Sequence, residues 1–236
     1  MEKNLTVLYE DNHVIVVLKP QNILSQSDIT KDEDLLSMVK AYVKEKYNKQ
    51  GEAFIGLVHR LDRPTGGVMV FARNSKSASR LSTQIVNHQF DKRYLAVCEG
   101  VFKHKTGRLE NYLKKDEKTN LVKLVPLSES GAKLAVLEYK VLCEFEDKSL
   151  VEVKILTGRS HQIRVQLANL KHPLVGDLKY GSTSAKAKNL ALWAYNLEFE
   201  HPTKKSKMKF KSLPPKDEYP LSLFNLEKFI WNLEMK

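Results

Sequence analysis

Cysteine is nearly missing from this chain: Cys98 and Cys143 are the two present among 236 residues. Each sits in an apolar stretch, YLAVCEG and YKVLCEF, with no CxxC and no histidine-rich spacing beside it. That excludes a disulfide scaffold and a thiolate metal centre, and both residues read as small core side chains in a reducing compartment. Long apolar runs are also missing. No stretch approaches the roughly 18 apolar residues of a membrane helix, and the start, MEKNLTVLYEDNHVIVVLK, has no uninterrupted apolar signal segment. The expectation is a cytoplasmic protein with no membrane partner. Acidic residues are in deficit, with 28 Asp plus Glu against 39 Lys plus Arg, a net charge of +11. A polyanion is therefore the first partner to consider, although charge alone also serves solubility.

What is present is ordinary for a folded chain: 42% apolar and 28% charged residues. LTVLY and HVIVVLK flank the turn-like Glu10-Asp11-Asn12, which predicts an opening antiparallel hairpin. Leu35, Val39, Tyr42 and Val43 share one helical face, so a helix is expected over 34–47 behind Asp32 or Asp34. GVMVFAR reads as a buried strand, 75–88 as a helix capped near Asn74 or Ser75, and Tyr94 to Cys98 as a further strand. LAVLEYKVLCEFE and SLVEVKIL predict a long hairpin turning at Asp147-Lys148. Next come a helix bearing Ile163, Leu167 and Leu170 behind Ser160, the strand LALWAYNLEFE, and a terminal helix over 222–234 behind Ser222. This order predicts an α+β fold with a largely antiparallel or mixed sheet. Residues 102–133, with eight basic and four acidic side chains, read as a weakly patterned basic excursion.

Chemistry concentrates in a few stretches. In His59-Arg60-Leu61-Asp62-Arg63-Pro64-Thr65-Gly66-Gly67 a carboxylate sits in a turn stiffened by proline and freed by two glycines. The flanking arginines favour its ionised form, which suits a nucleophile or base. An aspartate beside Pro and Gly more often bonds its own turn, so the turn alone does not decide. A metal site from His59, Asp62 and His161 is set aside, because the chain has neither HExxH nor a thiolate cluster. Thr157-Gly158-Arg159-Ser160-His161-Gln162-Ile163-Arg164 places basic side chains where a strand passes into a helix. Positive charge is unfavourable at a helix start unless an anion arrives there. Lys92-Arg93-Tyr94 opens a strand with charge and an aromatic ring, and HPTKKSKMKFK carries five lysines and no acid, which alone reads as a solvated loop.

Taken in order, five motifs are similar to those of the RluA-type pseudouridine synthases: Val17-Leu18-Lys19-Pro20, HRLDRPTGG, KRYLAV, TGRSHQIR, and His172-Pro173-Leu174-Val175-Gly176-Asp177 ending in Tyr180-Gly181. The resemblance runs from about Leu5 to about Leu197. It implies the pseudouridine synthase fold, a central, mostly antiparallel mixed sheet flanked by helices and loops with a basic active-site cleft. It also implies one catalytic domain over 1–236 and no cofactor or metal. By the same resemblance Asp62 is the catalytic aspartate, Tyr94 stacks on the target base, and Arg164 pairs with the aspartate. Arg60 is similar to the residue that enters the RNA helix in place of a flipped nucleotide, and Arg63, Lys92, Arg159 and His161 are the further expected RNA contacts. The implied partner is structured RNA, an rRNA or tRNA stem-loop, met by a monomer. The family often has glycine at Asn22 and histidine at Gln166, positions that bear on substrate fit. The small N-terminal RNA-binding domain of larger members is expected to be absent. A non-catalytic RNA chaperone on the same fold is the rival function.

Overall fold

The computed structural model describes residues 5–184 and 187–231. In chain order its elements are β1 (Thr6–Glu10), β2 (Val14–Lys19), α1 (Leu35–Lys46), β3 (Gly56–Leu57), β4 (Gly66–Ala72), α2 (Ser75–Val86) and β5 (Asp91–Glu99). There follow β6 (Thr106–Asp116), β7 (Leu121–Val125), β8 (Lys133–Phe145), β9 (Lys148–Ile155) and α3 (Gln162–Asn169). A 3₁₀ turn at Leu178–Tyr180 precedes β10 (Leu192–Glu200) and β11 (Lys207–Lys211), and a second at Leu221–Leu223 precedes α4 (Leu226–Trp231). The chain forms two compact units, Met1–Asp91 with Asn196–Ser212, and Lys92–Tyr195 with Leu213–Lys236.

In the first unit β2 pairs antiparallel with both β1 and β4. The register sets Val14 opposite Ala72 and Val16 opposite Val70, so these side chains share a face and pack with Leu81 of α2, Phe90, Leu197 and Phe199. Ile15, Val17, Met69 and Phe71 on the other face are equally buried. Two buried faces explain why both strands read as continuous apolar runs. α1 and α2 start where their capping residues stand: Asp34 and Asn74 each accept the N–H of the residue three further on, Ser37 and Ser77. Asp11 builds the first hairpin turn by accepting the N–H groups of His13 (2.8 Å) and Val14 (2.9 Å) on Oδ1. Its Oδ2 accepts from the buried ring of His201 and from Lys204. Burial opposes ionisation of Asp11, but these bonds outweigh it and hold the carboxyl well below the usual carboxylate range.

The second unit carries the antiparallel order β5-β9-β8-β6-β7. One face buries Leu95, Val97, Leu150, Trp193 and Tyr195 against Leu221, Phe224 and Ile230 from the C-terminal segment. A smaller cluster joins Leu113, Val122 and Ala135 to Val165 of α3.

Several expectations are corrected. The long hairpin turns at Glu146-Asp147, because Phe145 and Lys148 are cross-strand partners. Within 102–133, β6 and β7 form a paired hairpin whose inner positions, Leu109, Asn111 and Leu113, alternate with Arg108, Glu110 and Lys114. The lysine-rich stretch after His201 ends in a strand, β11: Met208 and Phe210 pack inward. Lys205, Lys207 and Lys209 pair with Glu200 or Glu198 of β10. The last helix starts behind Asn225, whose side chain accepts the N–H of Lys228, while Ser222 lies in the preceding 3₁₀ turn. Leu233 lies outside the described residues.

Candidate active site

The Asp62 turn belongs to the first unit and is closed by a bond from Thr65 N–H to the Asp62 carbonyl, 2.9 Å. Asp62 itself is half-buried, with exposed Arg60 and Arg63 beside it. The segment 19–25 grips this turn through its carbonyls. Lys19, fully buried at the end of β2, donates from Nζ to the carbonyls of Arg63 (3.0 Å), Pro20 (3.0 Å) and Ile23 (2.5 Å). The N–H of Asn22 donates to the same Arg63 carbonyl at 2.8 Å, and Gln21 Nε2 donates to Pro64 at 3.1 Å. The Ser25 hydroxyl donates to the Leu61 carbonyl and accepts the Leu61 N–H. Asn22 has φ 65°, the left-handed region, where glycine is free of strain and asparagine is tolerated. Gly67, at φ 128°, is the one glycine of the Gly66-Gly67 pair that needs its freedom.

Burial lowers the pKa of Lys19 to about 7; the charge of Asp62 opposes that shift and Arg63 reinforces it. The Asp62 charge thus favours the ammonium form of Lys19, whose three donors fix the loop. Lys19 has no task among the sequence expectations. The available signal was a lysine closing a wholly apolar strand, where a charge must find partners. His59, once weighed as a metal ligand, uses Nε2 to accept the N–H of Val70 at 3.1 Å. Among the described residues no group of His, Cys, Asp or Glu side chains is placed to hold a metal.

In the second unit Tyr94 is 7% exposed and stands opposite Val153, on the strand face away from Leu95 and Val97. Lys92 is opposite Ile155 and its Nζ would lie 3.8 Å from a Cβ at Gly158; burial lowers its pKa. The TGR turn is organised by Gln162, not by Ser160. Gln162 Oε1 accepts the Thr157 hydroxyl (2.8 Å) and the Arg159 N–H (3.0 Å), while its Nε2 donates to the Val136 carbonyl. His161 takes the N-cap position at φ 50° with no side-chain cap bond, so the expected serine cap is replaced. Arg159 is exposed, with Nε on the Leu134 carbonyl.

Arg164 is not an open fork for phosphate. It is 6% exposed, and its Nε and Nη2 donate to the two carboxylate oxygens of Asp177, each at 2.7 Å. The ring of Tyr180 lies 5.0 Å from the guanidinium carbon, and the Tyr180 hydroxyl meets His161 Nδ1 at 2.7 Å while accepting the Val122 N–H at 3.0 Å. Asp177 and Tyr180 thus hold Arg164 and His161 in place, roles that the sequence reading did not give them. Gln166 faces strands, not solvent: it is 1% exposed and donates to Asn111 at 2.8 Å.

The family model described as RNA pseudouridylate synthase matches residues 13–169. A Borreliella burgdorferi protein titled "Ribosomal large subunit pseudouridine synthase D" is 34% identical over 83% of this chain and 60% of its own length. A Bacillus subtilis protein titled "Uncharacterized RNA pseudouridine synthase YlyB" is 33% identical over 95% of this chain and 74% of its own. Among solved structures, "Human RNA Pseudouridylate Synthase Domain Containing 1" superposes with TM-score 0.73 at 21% identity, covering 99% of this chain and 96% of that one, a likeness of fold. The α+β architecture, with its large sheet and flanking helices, is that of these synthases. The chain belongs to the RNA pseudouridylate synthase family. It spans 60% and 65% of the lengths of two of its bacterial relatives, the second from Bacillus subtilis.

Proposed function

We propose that the chain isomerises selected uridines of structured RNA to pseudouridine, with Asp62 as the catalytic carboxylate. The observation that carries this reading is the Asp62 turn itself. The turn that carries this half-buried carboxylate between two exposed arginines is held by the buried Lys19 and Ser25 side chains and the Asn22 N–H, which bond the main chain of Arg63 and Leu61. Such rigidity suits a group that must meet a reacting atom in one geometry.

The reaction breaks the bond from N1 of uracil to C1′ of ribose, turns the base and rejoins it through C5, whose proton is lost to solvent as one returns to N1. Water must be kept from the intermediate, which it would hydrolyse. A base in a stem must first leave its stack, at a cost of a few kcal/mol that aromatic stacking and charge contacts offset. In this reading Tyr94 supplies the stacking face and Arg164 supplies the cation for Asp62. Arg60, Arg63, Lys92, Arg159 and His161 contact the RNA, and the exposure of Arg60, Arg63 and Arg159 supports that assignment. The substrate is an rRNA or tRNA stem-loop, the enzyme acts as a cytoplasmic monomer, and no metal or cofactor takes part. Among the described residues no helix is long and apolar enough to cross a membrane.

The test is a pseudouridine map of rRNA and tRNA from cells lacking the gene, complemented with wild type or Asp62→Asn. Sites that vanish and return with wild type alone support the reading. A map unchanged by deletion, or restored by Asp62→Asn, overturns it.

A further inference from the structure

Arg164 depends on Asp177, and Asp177 sits on a loop, residues 172–184, whose two ends meet at one residue of β5. Glu99 donates its N–H to the Pro173 carbonyl at 2.9 Å, and its carbonyl accepts from His172 Nδ1 at 2.9 Å. At the other end its carboxylate gathers the loop. Oε1 accepts the Ser182 hydroxyl (2.6 Å) and the N–H groups of Thr183 (2.9 Å) and Ser184 (3.1 Å), and Oε2 accepts the Thr183 hydroxyl (3.1 Å). The contacts continue inward. Ser182, 8% exposed, accepts the Gly176 N–H on its hydroxyl at 3.0 Å and donates its own N–H to the Asp177 carbonyl at 3.1 Å. The peptide joining Gly176 to Asp177 is therefore pinned on both sides. Gly176, at φ 82°, can carry no side chain, since a Cβ would lie 2.4 Å from the Asn189 carbonyl oxygen. With the backbone of Asp177 fixed, its carboxylate meets both donors of Arg164.

We propose that Glu99 and Ser182 are positioning residues that hold Asp177, and through it Arg164, in the geometry the reaction needs. The proposal rests on the synthase reading. A carboxylate taking two main-chain N–H groups and two hydroxyls from three consecutive residues is more than a surface loop needs to stay closed. It also binds the loop to the strand that carries Tyr94, five residues earlier in β5. The path from Glu99 through Ser182 to Asp177 predicts that the two outer residues act as one unit.

The experiment measures kcat and KM by tritium release from 5-tritiated rRNA and tRNA of the deletion strain. The enzymes are the full-length wild type, Glu99→Ala, Ser182→Ala, the double variant and Glu99→Gln, each corrected for its folded fraction by circular dichroism. Each alanine variant is expected to lower kcat about tenfold with KM within about twofold, because a misplaced catalytic group costs rate before binding. The double variant falls no further than either single one, since both break the same path. Glu99→Gln retains most of the rate: its amide oxygen takes over from Oε1 and its amide nitrogen donates to the Thr183 hydroxyl. Wild-type kcat in Glu99→Ala, losses that multiply in the double variant, or an effect on folded fraction alone would each overturn the proposal. A wild-type protein that releases no tritium would instead strike the synthase reading, so the two failures are distinct.

Discussion

The turn that carries Asp62 is gripped through main-chain carbonyls, whereas the helix that carries Arg164 is gripped through side chains. Around Asp62 the donors of Lys19, Asn22 and Gln21 end on the carbonyls of Arg63 and Pro64. Around Arg164 the partners are a carboxylate and an aromatic ring, those of Asp177 and Tyr180. A grip on carbonyls is indifferent to which side chain the turn presents, so that the turn can vary its outward residues without moving. A side-chain grip fixes identity, because each partner was chosen for its charge or shape. The comparison predicts that single substitutions do most damage around Arg164 and least in the backbone-held turn.

The largest effect is expected from Asp177→Asn. A buried guanidinium loses its ionised partner, and breaking such a pair costs about 3–5 kcal/mol. Urea denaturation measures the loss, and tritium release should fall with it in the folded fraction. A loss under about 1 kcal/mol would show that the ion pair is not what holds Arg164, and the contrast between the two regions would fail.

Lys19→Met comes next, at about 2 kcal/mol, for the loss of three bonds to carbonyls, of which that of Arg63 keeps a second donor in the Asn22 N–H. It also carries a pH signature. Lys19 titrates near 7 in the folded chain against about 10.4 when unfolded, so between these values the unfolded state binds more protons. The Lys19 contribution to stability therefore rises with pH from about 7 to about 10 and is flat below 7. Lys19→Met should abolish that rise. An unchanged slope would mean that the carbonyl cage and the Asp62 charge together offset the cost of burying the ammonium.

Asp11→Asn tests a mixed case within the first unit, where one carboxylate caps main chain and also meets side chains. A loss of about 1–2 kcal/mol is expected at pH 7. The folded pKa of Asp11 is depressed, so its contribution is full above the unfolded value near 3.9 and disappears as pH falls through the folded value. The difference between wild type and variant should persist at pH 5 and shrink below about pH 4. A constant difference across that range would assign the effect to lost shape instead of charge.

These regions also differ in how far they could be read in advance. The hairpin and helix frame of the first unit was legible because local signals agreed: Asp34 and Asn74 cap helices whose apolar period starts at once. The grip on Arg164 was not legible, since its partner lies 13 residues away beyond a helix end and a turn. The cap of α3 was misread for a related reason. Ser160 has the right chemistry one position too early, while His161 adopts a left-handed conformation that lets Gln162 reach back to the turn. The β6–β7 hairpin hid because its inner face includes a polar residue, Asn111, satisfied by Gln166 of α3. A period-two pattern interrupted by a polar side chain is visible once its distant partner is known.

The smallest effect, and the sharpest test of the carbonyl grip, is at Asn22. Its N–H holds the Arg63 carbonyl at 2.8 Å from a backbone at φ 65°. If main-chain geometry is what matters, Asn22→Gly keeps the donor and relaxes the left-handed strain, at the cost of a more flexible unfolded chain. The two terms nearly cancel, and stability should change by less than about 0.5 kcal/mol with turnover unaltered. Asn22→Ala keeps the same donor but suits the left-handed region poorly, and should cost about 1 kcal/mol. The pair separates backbone from side chain: equal losses in both variants, read by urea denaturation, would mean that the Asn22 amide itself supports the turn. In that outcome the Asp62 region would be held by side chains as the Arg164 region is, and the tolerance argued for its outward residues would not extend to this position.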